Sequence, residues 1–311
     1  MTIKTDMLRY FVAVAEAGNL SKAAKKLQRS PAAISMMLKQ FEEELGSPLF
    51  ETDRKSHLTA LGEFTLAEAK RELVHFENSV SAILKFAESG EGQVRVAAMP
   101  AAVANLLPKV IGQMHEENPN ILVNVEDITN AAILAKLQSK GADIGIVNNL
   151  SVTGSAHLKS AHLMSDRLGV LCARDSALGR KEKLYWSDLA TAPMVHHKLC
   201  DVIDEPAVRK AVAASRIGVS SAISIQSFVR GSKYASPLPE LGSLSLTSDL
   251  VFRIPDGNAY WRNVYLVWNV DINLSPATMR FCKIMKRTIT EMGMPPRSAS
   301  GEILPFTDVP T

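Results

Sequence analysis

The chain has 311 residues, of which 22% are charged and 46% apolar, with a formal net charge of +3. That length exceeds one typical domain and suits two or three packed units, while so small a positive excess argues against a strongly basic, monomeric nucleic-acid binder. Cys172, Cys200 and Cys282 are widely spaced and lack a CxxC pair, which argues against a secreted disulfide framework and against a zinc knuckle.

The first element is an amphipathic helix carrying Leu8, Phe11, Val12 and Ala15 inward and stopping at Gly18-Asn19. It is charged, unlike an export signal, and no run approaches the roughly 18 apolar residues of a membrane span, so a cytoplasmic protein is expected. From Ser21 to Gly46 the spacing predicts two short helices joined by a tight turn. Ser21 is placed to cap the first, Ala23 and Ala24 permit close packing, and Leu27 closes its inner face. Ser30-Pro31 restarts the chain, because a serine oxygen accepts from orphan amides and proline at the first helical position loses no needed donor. In the second helix Ile34, Leu38, Phe41 and Leu45 form the inward stripe, leaving Ser35, Met36, Lys39 and Gln40 to face a partner. An ordinary helical hairpin shares this pattern; a helix-turn-helix that enters DNA is the sharper reading. The segment SPLFETDRKSHLTALGE then sets the charged turn Asp53-Arg54-Lys55-Ser56 between two short apolar stretches, as a small wing does. Up to Gly62 nine Lys and Arg face seven acids, with Glu42, Glu43 and Glu44 gathered at the far end of the second helix, so the charge is polarised more than large.

A long helix follows, from about Thr59 or Leu61 to Glu88. Leu66, Ala69, Leu73, Phe76, Val80, Ile83 and Ala87 alternate by three and four residues, the pattern of a coiled-coil seam that needs a second helix, although packing on the protein's own body would use the same stripe. Ser89, Gly90 and Gly92 then form a hinge. From Gln93 strands and helices alternate: strands at QVRVAAM, ILVNVED, DIGIV, LGVLCAR, APMVHH, IGVSSA and NVYLVWNV, and helices at LLPKVIGQMHEE, AAILAKLQSK, Pro206 to Ser215, Ile225 to Gly231 and Pro276 to Met292. Such alternation argues for a parallel sheet covered by helices. The stretch after Gly293, rich in Pro, Ser and Gly, is expected to be a mobile tail.

Leu8, Phe11, Ala15, Gly18, Ala23, Ala24, Leu27, Ser30, Ala33, Ser35, Leu38, Glu42, Leu45, Gly46, Pro48, Leu49, Phe50, Leu58, Thr59 and Gly62 occur in the order found in LysR-type transcriptional regulators, whose winged helix-turn-helix this segment resembles. Leu106-Leu107-Pro108, Asn118-Pro119, Gly141-Ala142-Asp143-Ile144-Gly145 and Pro237-Leu238-Pro239 continue the likeness into the two-lobed, periplasmic-binding-protein-like effector domain of that family. The resemblance implies an α/β protein with an N-terminal winged helix-turn-helix (1–60), a linker and dimerisation helix (61–89) and an effector-binding domain (90–292). Its first lobe would be 93–164 plus 270–292 and its second 165–269, leaving 293–311 as the flexible tail.

The implied function is transcription regulation by sequence-specific DNA binding, modulated by a small molecule; the alternatives are a DNA-binding regulator without such an effector and, further off, a two-lobed solute-binding protein or an enzyme. The implied partners are double-stranded DNA, the effector, a second copy or a tetramer, and RNA polymerase; no cofactor and no membrane are expected. Three departures touch the DNA-reading residues: Pro31-Ala32 stands where the family usually has Gln-Pro, Met36 where Arg is frequent, and Thr52 where an Arg follows the wing's Leu-Phe-Glu. With Ser21, Lys22, Ser30, Pro31, Ala32, Ser35, Met36 and Lys39 at the groove and Arg54 and Lys55 in the wing, the site is expected to be read more by shape and phosphates than by bidentate hydrogen bonds.

Ligands in open α/β sheets sit beyond the strand carboxyl ends. That rule selects Met99, Pro100, Ala101 and Ala102 as an apolar floor, with Asn148, Asn149, His196, His197 and Ser227 around it. Many family members hold an effector carboxylate with Ser or Thr after the first strand, where this chain has Pro100-Ala101-Ala102; a compact acid is therefore not the expected effector. His196 and His197 are adjacent on a strand and point to opposite faces, which disfavours a shared metal. A peroxide-sensing pair of Cys172 and Cys200 is conceivable by the same resemblance, but buried thiols are ordinarily small apolar side chains. A nucleophile elbow, a P-loop, a dinucleotide fingerprint and HExxH are all missing, so no catalytic residue is expected.

Overall fold

In the first part of the chain three apolar stripes converge on one ring. The helices α1 (Thr5–Ala17), α2 (Leu20–Leu27) and α3 (Pro31–Leu45) bury Met7, Phe11, Val14, Ala23, Ala24, Ile34, Leu38 and Phe41 together. Phe11 meets Phe41 and Phe50 edge-on, at centroid distances of 6.0 and 5.6 Å, an arrangement worth about 0.5–1.5 kcal/mol per pair beyond the area buried. The computed structural model describes residues 3–51, 57–89, 92–148, 157–197, 200–201, 203–219, 222–298 and 300–310. It divides into two units, Met1–Leu84 with Ser139–Gly141, and Lys85–Gln138 with Ala142–Thr311.

The caps of the first unit are local chemistry. Gly18 ends α1 in the left-handed region at φ 59°, and Asn19, not Ser21, caps α2: its side chain accepts from the amides of Ser21 (2.9 Å) and Lys22 (3.1 Å). The extended backbone of Asn19, which follows directly on Gly18, puts its oxygen over those amides, so Ser21 falls inside the helix. Ser30 caps α3 as expected, accepting from Ala33 N at 3.2 Å, with Pro31 at the first position. Phe50 and Leu58 form an antiparallel bridge; the turn expected at 53–56, with Arg54 and Lys55, lies outside the described residues.

The helix α4 (Ala60–Ser89) spans 30 residues, about 45 Å at 1.5 Å per residue. Its start is committed to the head: Leu61, Leu66 and Ala69 pack on the core around Phe11. A Cβ at Gly62 would lie 2.1 Å from the Leu49 carbonyl oxygen, so only glycine permits that approach. Leu66, assigned to the pairing seam by spacing, is therefore a head residue. Beyond it Leu73 is half-buried, while Phe76, Val80 and Ile83 stand exposed at 40, 38 and 67%.

The second unit contains β1 (Gln93–Ala98), β2 (Leu122–Asp127), β3 (Ile144–Asn148), β4 (Leu158–Ala173), β5 (Val195–His196), β6 (Ile217–Gly218), β7 (Ala235–Pro239), β8 (Leu250–Arg253) and β9 (Trp261–Asn269). Between them run α5 (Pro100–Asn105), α6 (Leu107–Glu117), α7 (Asn130–Gln138), α8 (Pro206–Ala213), α9 (Ala222–Val229) and α10 (Pro276–Glu291). The main sheet runs β2-β1-β3-β9-β4-β7, with β8 on β4, and β5 pairs separately with β6. It is mixed, not wholly parallel, because β9 returns antiparallel between β3 and β4.

β4 serves two lobes. Its first part, Leu158 to Arg167, pairs with β9, and its last, Leu168 to Ala173, with β7 and β8. Since β9 is central to the first lobe, residues 261–269 belong there and not to the second lobe. On the far part of β4, Leu168, Val170 and Cys172 enter one apolar cluster with Trp186, Leu189 and Val208, and Leu171 enters another with Val195, Ile225 and Leu238. This is the period-two alternation of a strand covered on both faces.

Where the lobes meet, Asp166 and Arg262 face each other in register. The guanidinium donates Nε to Oδ1 at 2.8 Å and Nη2 to Oδ2 at 2.6 Å, and Leu241 N adds a third bond at 2.9 Å. The segment 293–311 is expected to form a mobile tail, but its described residues pack back: Met294 and Val309 are buried in the first lobe's core and Phe306 lies against it. Three apolar side chains among Pro, Ser and Gly are enough to anchor the segment.

Candidate functional site

α3 presents two faces of opposite character. Ile34, Leu38 and Phe41 are buried, while Pro31, Ala32, Ser35, Met36 and Lys39 are exposed, Met36 by 70%. Lys39 Nζ lies 3.9 Å from Glu43, both highly exposed, a pair worth under about 1 kcal/mol that leaves the ammonium available to a phosphate. Ser21 and Lys22 are exposed at the start of α2. Lys26, by contrast, is drawn back to Glu16 at 3.5 Å, where Lys70 also binds at 3.1 Å. The hydrogen bond from Lys70, with the charges of both lysines, holds the Glu16 carboxyl below the usual range. Arg29, exposed in the turn beside the Ser30 cap, belongs with this surface and was missed. A basic residue immediately before a helix cap is the signal that could have found it.

In the second unit α5 follows β1 directly and packs against α9 and the 3-10 turn Glu240–Ser243, while α9 also touches β5. The elements bearing Pro100, Ser227 and His196 are thus in contact across the two lobes. Ser227 is exposed, Pro100 is half-buried, and His196 is half-exposed with Nε2 3.3 Å from Asp201 Oδ1. His197 is half-buried, its amide donating to Cys200 Sγ at 3.4 Å. Met99, Ala101 and Ala102 do not form an open apolar floor: coiling of 100–105 into α5 turns them into the first lobe's core. Asn148 is engaged at the end of β3, its carbonyl oxygen accepting from Asn130 Nδ2 at 2.7 Å; Asn149 lies outside the described residues.

A separate cleft of about 640 Å³ opens on the second lobe among Asp175, Ser176, Thr191 and Lys233. Its Lys181 and Asp188 pair with each other at 2.8 Å. The thiols are poor nucleophiles. Burial raises Cys172, pushes Cys200 up to about 11 and Cys282 to about 12, so thiolate is scarce near neutrality. Among the described residues no group of three His, Cys, Asp or Glu is placed to hold a metal, and no helix is long and apolar enough to cross a membrane.

Two family models match. Residues 5–63 match the bacterial regulatory helix-turn-helix protein, lysR family, and residues 87–289 match the LysR substrate binding domain. The uncharacterized HTH-type transcriptional regulator YbhD of Escherichia coli is 33% identical over 197 residues, 63% of this chain and 61% of that protein. The Hca operon transcriptional activator HcaR of Escherichia coli is 25% identical over 293 residues, 92% of this chain and 98% of that one. Several of these curated relatives are matched over less than two thirds of their length, YdcI of Escherichia coli over 47%. Among solved structures, full-length CbnR complexed with its target DNA superimposes with a TM-score of 0.63 at 20% identity, covering 92% of this chain and all of the other. A full-length OxyR from Pseudomonas aeruginosa does so with 0.60 at 21% identity, covering 93% and 95%.

Proposed function

The chain belongs to the LysR family of bacterial helix-turn-helix regulators, and from that premise we propose that it binds DNA as a transcriptional regulator whose two-lobed domain takes a small-molecule effector. The observation that carries the reading is α3: a helix capped by Ser30, sealed inward by Ile34, Leu38 and Phe41, and bare outward at Ala32, Ser35, Met36 and Lys39. Such a face fits the major groove, where few side chains are long and bidentate; apolar contact and phosphate charge then carry most of the grip. HcaR is an operon activator and CbnR is held on target DNA, which supports the same use here. The exposed row Phe76, Val80 and Ile83 supports pairing of two copies, so that two heads read an inverted repeat.

The effector would lie where α5 meets α9 and β5, touching Pro100, His196, His197 and Ser227. These groups suit a small, neutral or amide-bearing, partly apolar molecule. The regulator would act in the cytoplasm, with RNA polymerase as its downstream partner. The test is a mobility shift of the full chain on DNA from its own upstream region, with Lys39→Ala lowering the salt slope by about one unit if it meets a phosphate. Failure to form a discrete complex on that DNA or on any sequence from a randomised-site selection would sink the reading.

A further inference from the structure

The segment after α10 lies outside the span of either matched family, yet it is bonded to β4, the strand that serves both lobes, and stacked against the start of β9. On β4, buried Ser165 donates its amide to Pro295 O at 3.3 Å and accepts from Arg297 N through Oγ at 3.0 Å. The same Oγ donates to Asn263 Oδ1 on β9 at 3.0 Å and lies 2.9 Å from His162 Nε2. Arg297 stacks over the Trp261 indole on β9, 5.5 Å from the ring centre, with Arg167 over the same ring at 5.9 Å. Arg297 Nη1 also donates to Gly301 O at 2.8 Å, closing a small loop over that indole.

Both ends of the segment are held in the first lobe. Met294 is buried at one end and Val309 at the other, where Lys286 Nζ donates to Val309 O at 3.1 Å and Asp308 lies 3.8 Å from Lys159. A stretch anchored twice in one lobe, bonded in between to Ser165 and stacked on Trp261, bears on the positions beside the passage between the lobes. We propose that the described part of 294–310 is a strap that fixes β4 against β9 beside the passage between the lobes and limits how far the lobes open.

The contrasting role is that of a core filler, with Met294 and Val309 serving the first lobe alone. The full chain distinguishes them without any ligand. Amide exchange is followed in peptides covering 163–168 and 259–264, and spin-label distances are measured between Glu116→Cys on α6 and Lys210→Cys on α8, the native thiols being buried. The variants are the double change Ser165→Ala with Arg297→Ala, which leaves Met294 and Val309 in place, and a truncation after Gly293. The strap predicts at least tenfold faster exchange in both peptides and a broader interlobe distance distribution, with α6 and α7 protected as in the parent. Parental exchange and distances in the folded double variant would overturn it, as would faster exchange confined to α10 and the first-lobe core. If the truncated chain does not fold, the double variant decides alone.

Discussion

Replacing Arg262 by Met should unfold the two-lobed unit far more easily, although the side chain is of similar reach. Asp166 and Arg262 are 0 and 3% exposed, so the variant leaves a carboxylate buried from solvent, with the Leu241 amide as its remaining donor among the described residues. Removing one partner of a buried pair costs about 3–5 kcal/mol, against the smaller or even favourable change when both charges are replaced by apolar groups. At about 2–4 °C per kcal/mol for a unit of this size, the midpoint should fall by roughly 6–20 °C. Asp166→Leu combined with Arg262→Met removes both charges and strands only the Leu241 amide, a loss of about 1–3 kcal/mol that largely cancels the relief. The double variant should return to within about 2 kcal/mol of the parent. The chain's three tryptophans, Trp186, Trp261 and Trp268, all lie in this unit, so indole fluorescence in urea follows its unfolding alone. A loss under about 1 kcal/mol in Arg262→Met, or a double variant as weak as the single one, would refute the reasoning.

Ile83→Asp, at a position 67% exposed in the single chain, should leave the fold intact and halve the mass seen by light scattering; an unchanged mass would remove the α4 row from the pairing surface. Ellman's reagent should titrate the three cysteines only slowly in the native protein and fully in denaturant, because burial lifts Cys200 to about 11 and Cys282 to about 12; one fast-reacting thiol would reopen a redox role. Burial also lowers the pKa of His162, so its neutral form is favoured in the fold: that stability is complete above the unfolded value of about 6.5 and is lost as pH falls below it, by at most about 1.4 kcal/mol per pH unit. His162→Gln should flatten the decline between pH 7.5 and 5.5, and equal declines in parent and variant would show that another group causes it.

What could be read from the sequence follows the range of the interactions concerned. The three head helices were legible because Ser30-Pro31 and the three-and-four spacing of Ile34, Leu38 and Phe41 act within a few residues. Asn19 and Ser21 both cap well, and only the backbone turn at Gly18 chooses between them. α5 has too few residues to show a helical period, which is why its alanines passed for a pocket floor. β7 was hidden by Pro237 and Pro239, residues a sheet accepts only where the missing amides face away from a neighbour, as at the edge position β7 occupies. The first half of β4 was hidden by His162, Ser165, Asp166 and Arg167, polar residues whose partners Asn263 and Arg262 lie far along the chain. The crevice depends on α5, α9 and β5 meeting, which local patterns do not encode.

The place of β9 between β3 and β4 has a temporal consequence. Asp166 and Arg262 are 96 residues apart, so at about 5–20 residues per second a ribosome needs roughly 5–20 s to deliver the strand that completes the middle of the first lobe. During that interval the head can already be folded, while β3 and β4 present unsatisfied edges to the cell. Nascent chains of this design should therefore be most vulnerable to aggregation and most dependent on holding chaperones while residues 174–260 are being made.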